Sequence, residues 1–387
     1  MHWRLPTEPQ SWRQAATINR DKVTFLKTEI KKPSYEVLCE AAELIKKGEV
    51  VAIPTETVYG LGANALNPEA AARIYRVKGR PSDNPMIVHI ARASDIGQLT
   101  PRLSPDIVAL IDHFWPGPLT IVVPRKEIVP DVTTGGLDTV AVRMPDSPAA
   151  LALIREAGCP IAAPSANLSG KPSPTKAQHV IDDLGGRIEA VIAGEDCRVG
   201  IESTVVDMTG SVPTILRPGI LTAEDIGAAL GKKVEYDPSL FVRPQSGPDA
   251  AAQKAETSVP ADAEGCAEAA LDAGFDADFH PKSPGMKYKH YAPNAEMVVI
   301  EGQRDRVKAE IERLKSLNER LGNRVGVILF EERAFVEAAH DLFADLREMD
   351  KEDVDLILAG ALADNDGVGF AVMNRMLKSA GYNIVKV

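Results

Sequence analysis

Residues 50–62 read Val50-Val-Ala-Ile-Pro-Thr-Glu-Thr-Val-Tyr-Gly-Leu-Gly62. Four apolar residues stopped by a proline predict a short buried strand, Val50 to Ile53. The polar, glycine-bearing stretch behind such a strand is where α/β proteins place small ligands. Thr55 and Thr57 offer hydroxyls, and Gly60 and Gly62 permit close backbone approach. Taken alone, the segment reads equally well as a tight turn.

The flanks agree with an α/β layer. Ser34 to Lys47 is a helix: Ser34 caps it, Glu36 suits its positive end and Gly48 stops it. Asn67-Pro68 opens the next, with proline where its missing N–H costs nothing. That helix runs out near Gly79-Arg80-Pro81. Further strands are predicted at Leu119–Val123, Val140–Val142, Ile161–Ala163, Ala190–Ala193 and Thr204–Met208. Helices fall at about Ser104–Phe114, Ser147–Ala157 and Thr222–Leu230. The alternation gives an α/β or α+β domain.

At about 244 the composition turns to Ala, Asp, Glu, Gly and Pro, which cannot bury a core. Between Phe241 and His280 eight acids face two bases, so this stretch carries −6 of the formal net charge of −11. The rest is only mildly acidic, which leaves room for a local basic groove. Residues 283–293, Ser-Pro-Gly-Met-Lys-Tyr-Lys-His-Tyr-Ala-Pro, are too specific in texture for a spacer. Beyond them a smaller α/β domain is expected: strands Met297–Ile300 and Val325–Phe330, and helices Arg304–Arg320, Phe335–Leu346 and Lys351–Ala363. The division is thus an N-terminal extension (1–23), a first domain (24–240), a linker (241–293) and a second domain (294–387).

With 387 residues, 44% hydrophobic and 26% charged, both domains can hold a core. No apolar run reaches membrane-span length, and Met1 to Arg20 lacks the apolar stretch of a secretory signal. The four cysteines form no C-x-x-C pair, so zinc-ribbon and redox motifs are excluded. Idle thiols in the cytoplasm are expected. Walker, nucleophile-elbow and H-E-x-x-H motifs are absent.

Four more stretches carry candidate chemistry. Lys78-Gly-Arg-Pro-Ser-Asp-Asn-Pro-Met-Ile-Val-His89 sets two cations at a helix end, where the dipole favours them; they equally suit phosphates. Arg143 closes Thr139-Val-Ala-Val-Arg143 and suits a carboxylate. Ala163-Pro-Ser-Ala-Asn-Leu-Ser-Gly-Lys-Pro-Ser173 follows a strand and is rich in hydroxyls and turn formers. Glu202-Ser-Thr-Val-Val-Asp207 is followed by Arg217-Pro-Gly219.

With Trp115-Pro-Gly-Pro-Leu-Thr120, these pieces resemble the Sua/YciO/YrdC family in order and spacing over about residues 24–235. The 283–293 stretch and the second domain resemble its long, Sua-type form. The acidic insertion is the departure. The resemblance implies a YrdC-like fold with a large, concave, positively charged cavity and a smaller Rossmann-like C-terminal domain. It implies synthesis of threonylcarbamoyl-adenylate from L-threonine, bicarbonate and ATP, with Mg²⁺ arriving on the nucleotide. Threonine contacts are implied for Thr57, His89, Arg143, the backbone at Ala163, and Ser203. ATP contacts are implied for Lys78, Arg80, Asn84, Thr139, Ser165, Asn167, Ser173 and Arg217, with Tyr291 reaching the nucleotide as the linker folds over. The implied partners are the machinery that passes the threonylcarbamoyl group to tRNA, and tRNA itself. Two other readings are an RNA-binding protein without adenylate synthesis, disfavoured by the acidic balance, and a carbamoyltransferase of hydrogenase-maturation type, disfavoured by the missing cysteine pairs.

Overall fold

The computed structural model describes residues 26–241, 281–284, 290–363 and 367–387. The N-terminal extension, the acidic stretch 244–279 and residues 285–289 of the linker motif lie outside them. The strands of the first sheet are β1 (Glu29–Lys31), β2 (Val51–Ile53), β3 (Gly60–Asn64), β4 (Ile87–His89), β5 (Leu119–Pro124), β6 (Thr139–Arg143), β7 (Ile161–Ala162), β8 (Ala190–Ile192), β9 (Thr204–Asp207), β10 (Thr214–Arg217) and β11 (Glu235–Tyr236). They form one mixed sheet in the order β1-β8-β2-β3-β7-β4-β6-β5-β9-β10-β11.

The helices start where the capping residues place them. Ser34 accepts from Val37 N ahead of α1 (Tyr35–Lys46), and Asn67 accepts from Glu69 N and Ala70 N ahead of α2 (Pro68–Lys78). Gly79, in the left-handed region, ends α2. Ser104 caps α3 (Pro105–Phe114), the short α4 (Asp131–Thr134) follows, and Ser147 caps α5 (Pro148–Ala157). Then come α6 (Ala177–Leu184) and α7 (Ala223–Leu230).

One expectation about the opening stretch changes. Gly60 and Gly62 both belong to strand β3; Gly60 still lines the cavity described below, but Gly62 does not. A Cβ on Gly62 would stand 2.9 Å from Ile161 Cγ2 and 3.3 Å from Val51 O. What approaches this glycine is the neighbouring strands.

The second sheet comprises β12 (Glu296–Glu301), β13 (Val325–Ile328), β14 (Leu356–Gly360) and β15 (Ile384–Lys386), all parallel, in the order β13-β14-β12-β15. Its helices are α8 (Arg304–Arg320), α9 (Phe335–Lys351) and α10 (Val368–Ser379). The helix expected over Lys351–Ala363 is wrong: α9 continues to Lys351 and β14 takes Leu356–Gly360. A central parallel strand is covered on both faces, so its residues form a continuous apolar run without the two-residue alternation that would separate it from a buried helix.

The two domains share a core. Val58 and Ile201 of the first domain and Tyr291 of the linker pack with Leu342, Phe343, Leu346 and Met376 of α9 and α10. Gly200 makes the fit possible, since a Cβ there would lie 2.3 Å from His340 O.

Candidate active site

One cavity, about 670 Å³ when counted out to its solvent mouth, lies among the strand ends and the linker. Strand register assembles one end of it. His89 and Arg143 are partners where β4 and β6 run parallel, and Thr120 of β5 pairs with Arg143 from the other side. Arg143 donates to Gly117 O at 3.1 Å and to Thr57 Oγ1 at 2.9 Å. Its Nη2 faces Glu56 Oε1 at 2.6 Å, outside hydrogen-bond alignment, so that contact is charge against charge. Thr57 is held in turn by the Thr55 hydroxyl at 2.9 Å. Burial, with Arg143 second, lowers His89 to about 3, so it is neutral near pH 7.

A second group forms around Ser203. Its hydroxyl lies 2.7 Å from Thr120 Oγ1 and accepts from Arg217 Nη2 at 3.1 Å, while Arg217 Nε donates to Ser203 O at 3.1 Å. Burial lowers Arg217 to about 10, partly offset by Glu202; it remains a cation.

The third group is the Ser165–Ser173 loop. Lys78, last residue of α2 and 2% exposed, donates to Asn167 O at 2.5 Å and also to Ser165 O. Burial, then Arg80, pushes its ammonium well below the ordinary range. Ser165 donates to Asn167 Oδ1 at 2.5 Å. Lys78 therefore braces this loop from beneath while lining the cavity. Arg80 donates to Pro85 O at 2.9 Å.

Thr57, His89, Arg143, Ala163, Ser203, Lys78, Arg80, Ser165, Asn167, Arg217 and Tyr291 all line this one cavity. Three expected residues do not. Asn84 is buried, with its side-chain oxygen unpartnered, while its main-chain oxygen accepts from Tyr75 and Arg80. Thr139 begins β6, at the opposite end from Arg143. Ser173 stands one layer back, donating to Glu202 Oε1 at 2.5 Å. Tyr291 has a positive φ of 66° and packs against Phe343 with ring centroids 5.0 Å apart. Ala292 N anchors the linker to Gly170 O at 2.8 Å.

Sequence reasoning missed Glu202 as a wall, Glu56 behind Arg143, and the second-domain arginines Arg347 and Arg375. The two glutamates sat inside motifs already singled out. A charged residue between apolar Val372 and Met376 was the one signal for Arg375.

Among the described residues, four basic side chains (Lys78, Arg80, Arg143, Arg217) and one carboxylate (Glu202) share a wall of hydroxyls and main-chain groups. Such a cavity binds polyanions and a small polar molecule side by side. No cluster of three or more metal-ligating side chains occurs among the described residues, and no described helix is long and apolar enough to cross a membrane.

Fold and site together define a ligand-binding YrdC-like protein with an appended Rossmann-like domain. Residues 43–219 match the Sua5/YciO/YrdC family, described as Telomere recombination, and 249–381 match the threonylcarbamoyl-AMP synthase C-terminal domain. A threonylcarbamoyl-AMP synthase of Pyrococcus abyssi is 44% identical, over 90% of this chain and 95% of its own. One of Bacillus subtilis is 43% identical, over 90% and 94%. The crystal structure of P. abyssi Sua5 complexed with L-threonine superposes with a TM-score of 0.79 at 43% identity, covering 94% of this chain and all of that one. The chain belongs to the two-domain threonylcarbamoyl-AMP synthase family, enzymes of nucleotidyltransferase type.

Proposed function

We propose that the protein condenses L-threonine, bicarbonate and ATP to threonylcarbamoyl-AMP and pyrophosphate, for the machinery that transfers the threonylcarbamoyl group to tRNA. The observation that carries this is the partition of one cavity. Arg143, Thr57, His89, Ser203 and the Ala163 main chain gather at one end, as an α-amino acid requires: a guanidinium for the carboxylate and hydroxyls for the rest. Lys78, Arg80, Arg217 and the Ser165–Asn167 loop supply the cations and polar groups that a nucleotide triphosphate requires, and Tyr291 walls it from the linker. Asn84, Thr139 and Ser173 would act from outside this lining. The division at 24–240, 241–293 and 294–387 stands as part of the same proposal.

The threonine amine adds to the carbon of bicarbonate and water leaves, giving a carbamate. A carbamate oxygen then attacks the α-phosphorus, and the bond to pyrophosphate breaks. Mg²⁺ enters as part of the MgATP substrate, because Glu202, the one carboxylate among the described lining residues, is engaged by Arg375 and Ser173. The chain's own contribution is positioning, charge compensation and exclusion of water from a labile carbamate.

Purified protein with MgATP, bicarbonate and L-threonine should release pyrophosphate only when all three are present, with the adenylate visible by mass. Release that ignores threonine would overturn the reading. Salt-sensitive tRNA binding without any release would instead favour the RNA-binding alternative.

A further inference from the structure

The second domain reaches under the cavity with two buried arginines, one from α9 and one from α10. Arg375, 0% exposed, donates through Nε and Nη2 to Glu202 Oε2, each at 3.1 Å. Its Nη1 donates to Pro218 O and, at 3.1 Å, to Ala371 O. Arg347 donates to Pro172 O at 2.6 Å and Asp183 Oδ2 at 2.8 Å, and Asp183 accepts from Leu168 N at 3.2 Å. Each arginine thus grips a different cavity loop.

We propose that Arg375 is a positioning residue for the synthase reaction: from the second domain it holds the Glu202 side chain in place, and so sets Ser173 and Arg217 on the nucleotide side of the cavity. The inference rests on the function proposed above.

Docking alone does not call for this arginine. Apolar contacts between Val58, Ile201, Tyr291 and the helices α9 and α10 already join the domains. A buried ion pair is seldom more stabilising than well-packed apolar residues of the same size. What the pair does provide is direction. Glu202 spends one oxygen on Arg375 and the other on Ser173. Ser203 follows it in the chain and accepts from Arg217, whose neighbour Pro218 accepts from Arg375. One guanidinium therefore ties the Glu202–Ser203 segment to the Arg217–Pro218 segment, by a bond to one residue of each.

The charge on Glu202 depends on what surrounds it: Arg375 and Lys378 from α10, Arg217 from β10, and His290 and Tyr291 from the linker. Burial pushes its carboxyl up; Arg375 first, then Arg217 and the Ser173 hydroxyl, bring it net below the ordinary range. Without Arg375 burial prevails, and Glu202 takes up a proton at a higher pH than before.

The test measures threonine-dependent pyrophosphate release against pH on the full chain, for wild type, R375M, R375K, E202Q and R375M/E202Q. In R375M the acid limb should move to higher pH. Its KM for ATP should rise about tenfold, with the threonine KM changed by less than about threefold. R375K should restore the acid limb while keeping a raised KM for ATP. Adding R375M to E202Q should cost little more than E202Q alone. A folded R375M with an unmoved acid limb and wild-type KM values overturns the proposal. If R375M does not fold, R375K decides: a KM for ATP equal to wild type overturns it. Wild-type protein without threonine-dependent release would defeat the functional reading itself, and the positioning role with it, before any variant is compared.

Discussion

The two sheets solve the same packing problem with opposite use of charge. In the first domain Lys78, His89, Arg143, Glu202 and Arg217 are all buried beside strands that are otherwise Val, Ile, Leu and Ala. In the second, β12 and β14 bury Met297, Val299, Ile357, Leu358 and Ala359, and the buried arginines Arg347 and Arg375 both reach out of that domain into the first. Charge that desolvates and stays is costly unless paired. Its concentration around one cavity marks where stability has been given up for chemistry, and the second domain joins that arrangement only at its seam.

The sharpest way to break the contrast is to remove Arg143. R143A leaves Glu56 buried without its cation and takes away the proposed partner of the threonine carboxylate. We expect a loss of about a thousandfold in kcat/KM for threonine, together with about 3–5 kcal/mol of stability. Pyrophosphate release at varied threonine and a urea melt read the two separately. A variant that keeps wild-type threonine dependence would show that Arg143 is structural only. Next comes K78M, which unties Ser165 O and Asn167 O. Loss of a buried charged donor to two carbonyls should lower kcat/KM for ATP about a hundredfold with a smaller effect on threonine. Equal losses for both substrates would mean that the brace supports the whole cavity and not the nucleotide end.

These residues also show how far the sequence could be read. Local signals placed five helices of the first domain, because Ser34, Asn67, Ser104, Ser147 and Thr222 cap their own helices, whereas α4 and α6, with no side-chain cap at Pro130 or Lys176, went unforeseen. Motif order brought eleven of the fourteen expected site residues into one cavity. What stayed hidden is what depends on distant partners. Strand β14 looked helical because its neighbours, not its own pattern, make it a strand. Gly62 looked like a ligand contact because the approach of Ile161, about a hundred residues away in the chain, leaves no local trace. Arg375 left only a faint local trace, since its partner Glu202 lies 173 positions earlier.

Acid should expose the difference between the domains at equilibrium. Burial first, then nearby cations, lower His89 to about 3 and His179 to about 4, both in the first domain. His179 Nδ1 accepts from Thr175 N at 3.3 Å, a bond that a proton there would break. Above the ordinary value of 6.5 both are neutral, folded or unfolded, and nothing is lost. As pH falls below it the unfolded chain gains protons that the native state refuses. Stability should therefore drop by up to about 1.4 kcal/mol per pH unit for each histidine on the way to pH 4. Urea midpoints at pH 7 and pH 5 test this, and H179Q should flatten the decline. A midpoint that holds or rises at pH 5 would contradict it.

The mildest comparison sets one glycine from each sheet side by side. A Cβ at Gly62 meets Ile161 Cγ2 at 2.9 Å and Val51 O at 3.3 Å, and one at Gly326 meets Met349 Sδ at 2.8 Å. The distances are alike, but the neighbours are not. Ile161 is β-branched and Val51 O is main chain paired across β2 and β3, so neither can retreat without moving the strands behind Thr57 and Ala163. Met349 is an unbranched side chain whose sulfur can swing aside. G62A should therefore cost about 1–3 kcal/mol through overpacking, whereas in G326A the strand's gain from replacing glycine, about 0.5–1 kcal/mol, should offset most of the crowding. Thermal melts of the two variants decide it. If both lose equally, the first sheet is no more rigid around its cavity than the second, and the close strand packing at Gly62 does not serve to hold the site.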